Sequence, residues 1–167
     1  KLMIASDIHG SAYYCRKMIE AYHREGADRL LLLGDLLYHG PRMIFPKTIT
    51  KGSNLHVKWN KNELLCVRGN CDTEVDQMVL GFPILAEYCL LELDGYTIFA
   101  THGHNFNPDN LPMLKDGDIL LNGHTHIPAN QNMYLYLHEP GSISIPKEGS
   151  AHGYMIYDGE FCWKSLD

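Results

Sequence analysis

The chain has 167 residues, a length typical of one domain of ~100–200 residues, so we expect a single domain over residues 1–167. Hydrophobic residues make up 45% of the chain and charged residues 20%, which excludes a disordered, collagen-like or coiled-coil protein. The net charge of −6 argues against extended nucleic-acid binding, because proteins that grip many phosphates present a basic surface.

The distribution of apolar residues and cysteines predicts the compartment. No apolar run approaches the ~18 residues of a membrane span, and no export signal is visible, so we expect no membrane association. The five cysteines are odd in number and none has CxxC spacing. Reduced thiols in the cytoplasm fit this pattern better than a disulfide framework.

The first part of the chain predicts a β-α-β unit. Residues 2–6 form a buried strand, a helix begins after Ser11 and ends at Gly26, and residues 29–33 form a second buried strand. Cys15 and Tyr22 mark the two ends of its apolar helical face. The unit implies a parallel strand pair with a right-handed crossover.

The rest of the chain changes from mixed to mostly β structure. A short helix is predicted at residues 55–59, a third strand at 64–67 and a helical turn at 75–78. Further strands are predicted at 85–93, 96–100, 119–121, 133–137, 154–157 and 161–164. Asp94-Gly95 indicates a tight hairpin turn. This order predicts two packed sheets with helices outside.

Five polar motifs each follow a predicted strand, at the strand end where α/β sheets bind ligands. They are Asp7-Ile8-His9-Gly10, Gly34-Asp35, Gly69-Asn70-Cys71-Asp72, Thr101-His102-Gly103-His104 and Gly123-His124-Thr125-His126. The motifs contain seven residues that could bind metal through oxygen or nitrogen atoms. Seven ligands are too many for one tetrahedral ion. They suit two ions that share a carboxylate, and imidazole with carboxylate indicates manganese, iron or zinc rather than calcium.

These motifs resemble the pattern of the calcineurin-like metallophosphoesterases, D-x-H, G-D, G-N-H-D, H and G-H-x-H. The strings at residues 6–10, 39–42, 67–72, 74–78 and 140–146 are similar to the small bacterial YfcE-type phosphodiesterases. The resemblance implies an α/β fold, a four-layer α-β-β-α sandwich of two mixed sheets flanked by helices, with a dinuclear metal site at the carboxyl ends of the strands.

The resemblance also implies the ligands and the reaction. Asp7, His9 and His126 would hold one ion; Asn70, His102 and His124 would hold the other; Asp35 would bridge them. The expected cofactors are two divalent transition-metal ions, manganese first, with zinc or iron as alternatives. A metal-bridging hydroxide would then hydrolyse a small phosphodiester substrate.

Four further residues are candidates around the metals. Cys71 stands where most of the superfamily has histidine, and it is open whether this thiol is a nucleophile, an acid or a bystander near the metals. Asp72 would orient a catalytic neighbour or cap a helix. Arg42 is a candidate phosphate clamp or a structural ion pair, and His104 a substrate contact or a residue that orients a ligand.

Two departures from the resemblance and two alternative functions stay open. Glu139 replaces an asparagine common in the subgroup, which leaves a substrate contact in doubt, and the role of residues 44–62 cannot be carried over. A phosphomonoesterase would use the same site. A protein-interaction scaffold, like the retromer subunit of this fold, would have lost ligands that are present here. A homo-oligomer, dimer or tetramer, is compatible with so small a domain.

Overall fold

The computed structural model of the protein describes residues 1–37, 61–132 and 135–167. Within these ranges lie the helices α1 (Ala12–Glu25) and α2 (Glu74–Val79) and a 3₁₀ turn at Lys61–Glu63. The strands there are β1 (Leu2–Ala5), β2 (Arg29–Leu32), β3 (Leu64–Cys66), β4 (Tyr88–Leu93), β5 (Tyr96–Thr101), β6 (Ile119–Leu121), β7 (Ala129–Asn132), β8 (Tyr136–Glu139), β9 (Gly153–Tyr157) and β10 (Phe161–Ser165).

The described strands form two mixed sheets, as the resemblance implies, and each sheet has five strands. The order is β10-β9-β1-β2-β3 in the first sheet and β4-β5-β6-β8-β7 in the second. β1, β2 and β3 run parallel, and so do β5, β6 and β8. Each sheet therefore gathers the carboxyl ends of three strands at one edge.

Helix α1 covers the outer face of the first sheet. The Ser11 side chain caps it by accepting the N–H of Tyr14 at 3.3 Å, and Gly26 ends it with a left-handed φ of 60°. Its buried face, with Met18 and Ile19, packs in one core with Met3 and other residues of the first sheet. The predicted β-α-β unit is confirmed.

A second core lies between the sheets and fixes their faces against each other. Ile4 and Leu31 of the first sheet pack with Ile98 and Leu121 of the second, and all four are buried. Because β1, β2, β5 and β6 contribute to this core, the loops after these strands are brought to a common edge.

The described strands differ from the sequence prediction in three places, of which one is β8, which is Tyr136–Glu139 rather than 133–137. β4 begins at Tyr88 rather than residue 85, because the preceding backbone bonds elsewhere: the Ala86 carbonyl accepts the Arg68 N–H at 2.7 Å. β7 is not predicted, since Ala-Asn-Gln-Asn lacks apolar alternation and lies at the sheet edge, where burial is not needed. The helix predicted at 55–59 lies outside the described residues.

The helices of the described part of the chain are too short to cross a lipid bilayer, which takes about 20 apolar residues.

Buried His138 predicts a pH-dependent stability. Its ring stacks on Phe161 of the other sheet with centroids 4.0 Å apart, and burial lowers its pKa from 6.5 to about 4. The folded protein thus favours the neutral ring, so this contribution to stability is complete above pH 6.5 and is lost as the pH falls towards 4.

We expect the free energy of unfolding of the unsubstituted protein to fall by about 2 kcal/mol relative to His138→Phe between pH 7 and pH 5. Phenylalanine keeps the stacked ring and cannot ionise. Denaturant unfolding at both pH values checks this, and parallel pH profiles for the two proteins would contradict it.

Candidate metal centre

The five motifs meet at the edge where the carboxyl ends of the parallel strands lie. The backbone N–H of Asp7 donates to Gly34 at 3.2 Å, and that of His9 donates to Asp35 at 2.9 Å. The loops of the second sheet join in the same way, with the Gly123 N–H 2.7 Å from the His102 carbonyl. Backbone hydrogen bonds therefore hold the motif loops together independently of their side chains.

Asp7, His9 and His126 form the first ligand cluster. Asp7 Oδ1 lies 3.1 Å from His126 Nε2 and 3.4 Å from His9 Nε2. Burial favours the neutral acid, but the facing rings of His126 and His9 lower the pKa of Asp7 well below its ordinary value. A buried, ionised carboxylate thus faces two imidazole nitrogens, and these three donors could hold a metal ion.

Asn70, His102 and His124 form the second cluster. His102 Nε2 lies 3.0 Å from Asn70 Oδ1 and 3.2 Å from His124 Nδ1. Imidazole nitrogens and an amide oxygen are all neutral metal ligands, so this cluster needs a carboxylate to balance a cation.

Asp35 lies between the two clusters. Its Oδ2 atom is 3.7 Å from His9 Nε2 and 3.5 Å from His102 Nε2. Burial opposes ionisation of Asp35, but His102 and the backbone N–H of Cys71 lower its pKa below the ordinary value. An ionised carboxylate that reaches both clusters has the geometry of a bridging ligand.

The tautomers of two rings test whether metal fits here. His102 Nδ1 lies 2.7 Å from the Leu33 carbonyl, and His126 Nδ1 lies 2.8 Å from that of Ile145. Because a carbonyl only accepts, both Nδ1 atoms carry protons, and the lone pairs of Nε2 point at the carboxylates. Acceptor faces acceptor in both clusters unless a proton or a cation lies between them, so the residues fit a metal centre.

Most of the candidate ligands have left-handed backbone conformations, which are rare outside glycine. Five of the seven candidates do so, with φ of 58° at Asp7, 46° at His9, 53° at Asp35, 80° at His124 and 67° at His126. Each costs on the order of 1–2 kcal/mol relative to ordinary backbone. The surrounding hydrogen bonds must therefore impose the conformations that aim these side chains inward.

Two motif glycines allow the loops to approach closely. A Cβ atom at Gly69 would lie 2.1 Å from Asp35 Oδ1, and one at Gly123 would lie 2.1 Å from Ser6 Oγ. Any side chain at either position would displace a ligand or its hydrogen-bond partner.

Hydroxyl groups behind Asp7 are contacts that the motifs alone do not predict. Ser6 Oγ donates to Asp7 Oδ2 at 2.6 Å, and Ser142 Oγ donates to the Asp7 carbonyl at 2.8 Å. Ser142 is distant in sequence and carries no signal of this role beyond lying in a string that resembles the subgroup.

Asp72 is buried behind the site and does not face it. Its carboxylate accepts the backbone N–H groups of Asp35 at 2.8 Å, Leu36 at 2.9 Å and Gly69 at 2.9 Å. Thr73 caps α2 instead, so the alternative that Asp72 caps the helix is wrong. The structure gives Asp72 the contacts of a positioning residue for Asp35.

Asp72→Asn should destabilise the protein by about 2–3 kcal/mol and lower activity, because an amide places a donor against a backbone N–H. Thermal unfolding and kinetics check this. The control is Thr73→Ala, which removes the cap of α2, costs about 1 kcal/mol and leaves activity intact. An Asp72→Asn protein with unchanged stability would contradict the assignment.

Cys71 lies at the edge of the first cluster. Its Sγ groups with ligand atoms of His9 and Asp35 within 4.8 Å, and its backbone N–H donates to Asp35 at 2.8 Å. Burial and the Asp35 carboxylate raise the pKa of Cys71 to about 12, so without cations the thiol keeps its proton.

The structure describes one of the two candidate substrate-binding residues. His104 is partly buried beside the second cluster, with its ring centroid 5.4 Å from that of His102 and 6.3 Å from that of His124. Burial and the neighbouring His102 lower the pKa of His104, which favours its neutral ring. Arg42 lies outside the described residues.

Comparisons with known proteins place this chain in one family. The family model of the calcineurin-like phosphoesterase superfamily domain matches residues 1–160, and the chain belongs to that superfamily. It is 44% identical over 163 residues to Phosphodiesterase YfcE of Escherichia coli K12, covering 96% of this chain and 88% of the relative.

Comparison with solved structures shows the same fold in other proteins. The structure of YfcE, described as a phosphoesterase from E. coli, matches with a TM-score of 0.90 and 41% identity, over 99% of this chain and 93% of that one. An archaeal phosphodiesterase shares the fold at 20% identity and a TM-score of 0.65, with 98% of each chain covered. Vps29 of Entamoeba histolytica complexed with zinc shares it at 19% identity and a TM-score of 0.58, over 96% of this chain and 88% of that one.

Proposed function

We propose that this chain is a metal-dependent phosphodiesterase that hydrolyses small phosphodiesters at a two-metal site. The observation that carries the proposal is the position of Asp35, whose carboxylate lies 3.7 Å from His9 Nε2 and 3.5 Å from His102 Nε2. Membership of the superfamily and 44% identity to Phosphodiesterase YfcE support the same reaction class.

In this proposal Asp7, His9 and His126 would hold one ion, Asn70, His102 and His124 would hold the other, and Asp35 would be shared between them. When bound, two such ions supply an activated water for attack on phosphorus and offset charge on the phosphoryl oxygens. We propose manganese, with zinc or iron as alternatives, because the donors are imidazole and carboxylate.

The charge of the site favours an anionic ester. Asp7 and Asp35 offset two of the four positive charges of two divalent ions, so the loaded site is positive although the protein carries a net charge of −6. A diester needs fewer cationic contacts than a monoester, which carries more negative charge. Arg68, next to the motifs, already donates its Nε to the Asp72 carbonyl at 3.2 Å.

The chain's own residues divide the remaining work. The Cys71 thiol, whose Sγ lies within 4.8 Å of ligand atoms of His9 and Asp35, is the candidate donor of a proton to the leaving oxygen. His104 is the candidate contact for a non-reacting oxygen of the substrate, and Asp72 holds Asp35. A single domain, a cytoplasmic location and a dimer or tetramer stay predictions.

Hydrolysis of bis(4-nitrophenyl) phosphate, followed together with metal content, tests the proposal. The purified protein should hold about two ions per chain, lose activity in chelator and regain it best with manganese. His126→Ala should lose activity, whereas His23→Ala, an exposed histidine on α1, should keep it.

Full activity in chelator would overturn the proposal. Faster hydrolysis of 4-nitrophenyl phosphate than of the diester would favour the phosphomonoesterase, and metal binding without hydrolysis would favour the scaffold.

A further inference from the structure

Glu139 is a buried carboxylate at the end of β8, with only 4% of its surface exposed. Its Oε1 atom accepts the backbone N–H of Thr125 at 3.0 Å and the Thr125 hydroxyl at 2.7 Å. Its Oε2 atom accepts the side-chain N–H of Asn122 at 3.2 Å. These contacts use both oxygens inside the protein, so Glu139 is not a substrate contact.

The residue that Glu139 holds lies between two metal-ligand candidates. Thr125 separates His124 and His126, whose φ values of 80° and 67° are left-handed. A loop with two such residues, one on each side of Thr125, does not keep its shape by local preference, because each prefers ordinary backbone. An external contact must fix the peptide between them.

The sheet supplies that contact through its register. β6 pairs with β8 so that Leu121 lies opposite His138, and the Asn122 N–H donates to the His138 carbonyl at 3.0 Å. The next residue of β8, Glu139, is thereby placed beside the start of the Gly123–His126 loop. The same carboxylate ties the Asn122 side chain and Thr125, the two sides of the loop.

We infer that Glu139 is a positioning residue that holds His124 and His126 in the geometry that binds metal. The inference rests on the proposed metal site. It assigns Glu139 no contact with metal or substrate, only the hydrogen bonds to Thr125 and Asn122.

Glu139→Leu and Glu139→Gln test the inference through metal affinity, measured as the Kd for manganese by competition with a fluorescent chelator. Leucine removes every acceptor, and we expect manganese to bind about 10–100-fold more weakly, the usual loss when an outer contact of a ligand is removed. Glutamine keeps an oxygen for the two Thr125 donors and loses only the contact to the Asn122 side chain, which keeps its bond to the Gly123 carbonyl at 3.0 Å. We expect its Kd within about threefold of the unsubstituted protein's.

A matched control separates this role from general stability. Asp118 is a buried carboxylate at the opposite end of β6, where it accepts the backbone N–H of Lys115 at 3.0 Å. Asp118→Asn should change the unfolding temperature without changing the Kd for manganese.

If Glu139→Leu does not fold, Thr125→Val and Thr125→Ser replace it. Valine lacks the hydroxyl donor and should weaken manganese binding several-fold, whereas serine should bind as the unsubstituted protein does. Unchanged affinity in Glu139→Leu or in Thr125→Val would overturn the inference. Equal losses in Glu139→Leu and Glu139→Gln would also overturn it, because charge rather than positioning would then be responsible.

The failure of the inference is distinct from the failure of the proposed function. An unsubstituted protein that binds no manganese removes the metal site itself. One that binds two ions, with Glu139 variants of equal affinity, removes only the role of Glu139.

Discussion

Asp35→Asn should lower kcat for diester hydrolysis by about a thousandfold and leave the fold intact. The substitution removes a carboxylate that lies within 4 Å of ring nitrogens in both clusters, at 3.7 Å from His9 and 3.5 Å from His102. Asparagine tolerates the left-handed φ of 53° better than other residues do, and its oxygen can still accept the N–H of Cys71. The loss should therefore be one of charge and metal contact, not of backbone geometry.

The comparison with His9→Ala makes this prediction specific. His9 belongs to the first cluster, so its loss should cost less activity than the loss of the shared carboxylate. Asp94→Asn is the matched control, because Asp94 has a similar φ of 52° in the hairpin turn between β4 and β5. It should keep full activity. Equal, mild losses in Asp35→Asn and His9→Ala would argue against a shared carboxylate.

Cys71→Ser should lower kcat by about a hundredfold for aryl diesters with poor leaving groups, with metal content unchanged. Serine is nearly isosteric with cysteine, but its hydroxyl ionises far less readily than a thiol. A positioned proton donor contributes typically 10²–10⁴-fold, and the effect grows as the leaving oxygen becomes more basic. Measuring kcat across a series of aryl diesters in both proteins therefore reports on proton donation.

Two outcomes delimit this prediction. Cys71→His should improve the hydrolysis of esters with poor leaving groups, because imidazole is the better acid near neutral pH. A serine variant within threefold of the unsubstituted protein across the series would remove Cys71 from the catalytic residues, since threefold corresponds to only about 0.65 kcal/mol of barrier.

The convergence of the five motifs could be predicted from the sequence, because each follows an apolar strand and parallel strands end at one edge. The hairpin turn at Asp94-Gly95 could also be predicted, and both residues have the positive φ that the turn requires, 52° and 85°. β7 could not be predicted, because an edge strand without alternating apolar residues carries no sequence signal of burial.

The contacts that hold the site residues in place could not be predicted from the sequence. Nothing in the residue types shows that Asp7 or His126 has a left-handed backbone, because tertiary contacts impose that conformation. The sequence leaves the roles of the acidic residues Asp72 and Glu139 open. Their roles follow only from the N–H groups whose hydrogen bonds their carboxylates accept. Such partners depend on loop packing between strands far apart in the chain.

The central claim is that the Asp35 carboxylate is shared between two groups of metal-ligand residues. Anomalous diffraction from crystals grown with manganese tests this claim most directly. The account predicts two peaks, one beside Asp7 and His126 and one beside Asn70 and His102, with the Asp35 carboxylate contacting both ions. A single peak, or two peaks of which Asp35 contacts only one, would contradict it.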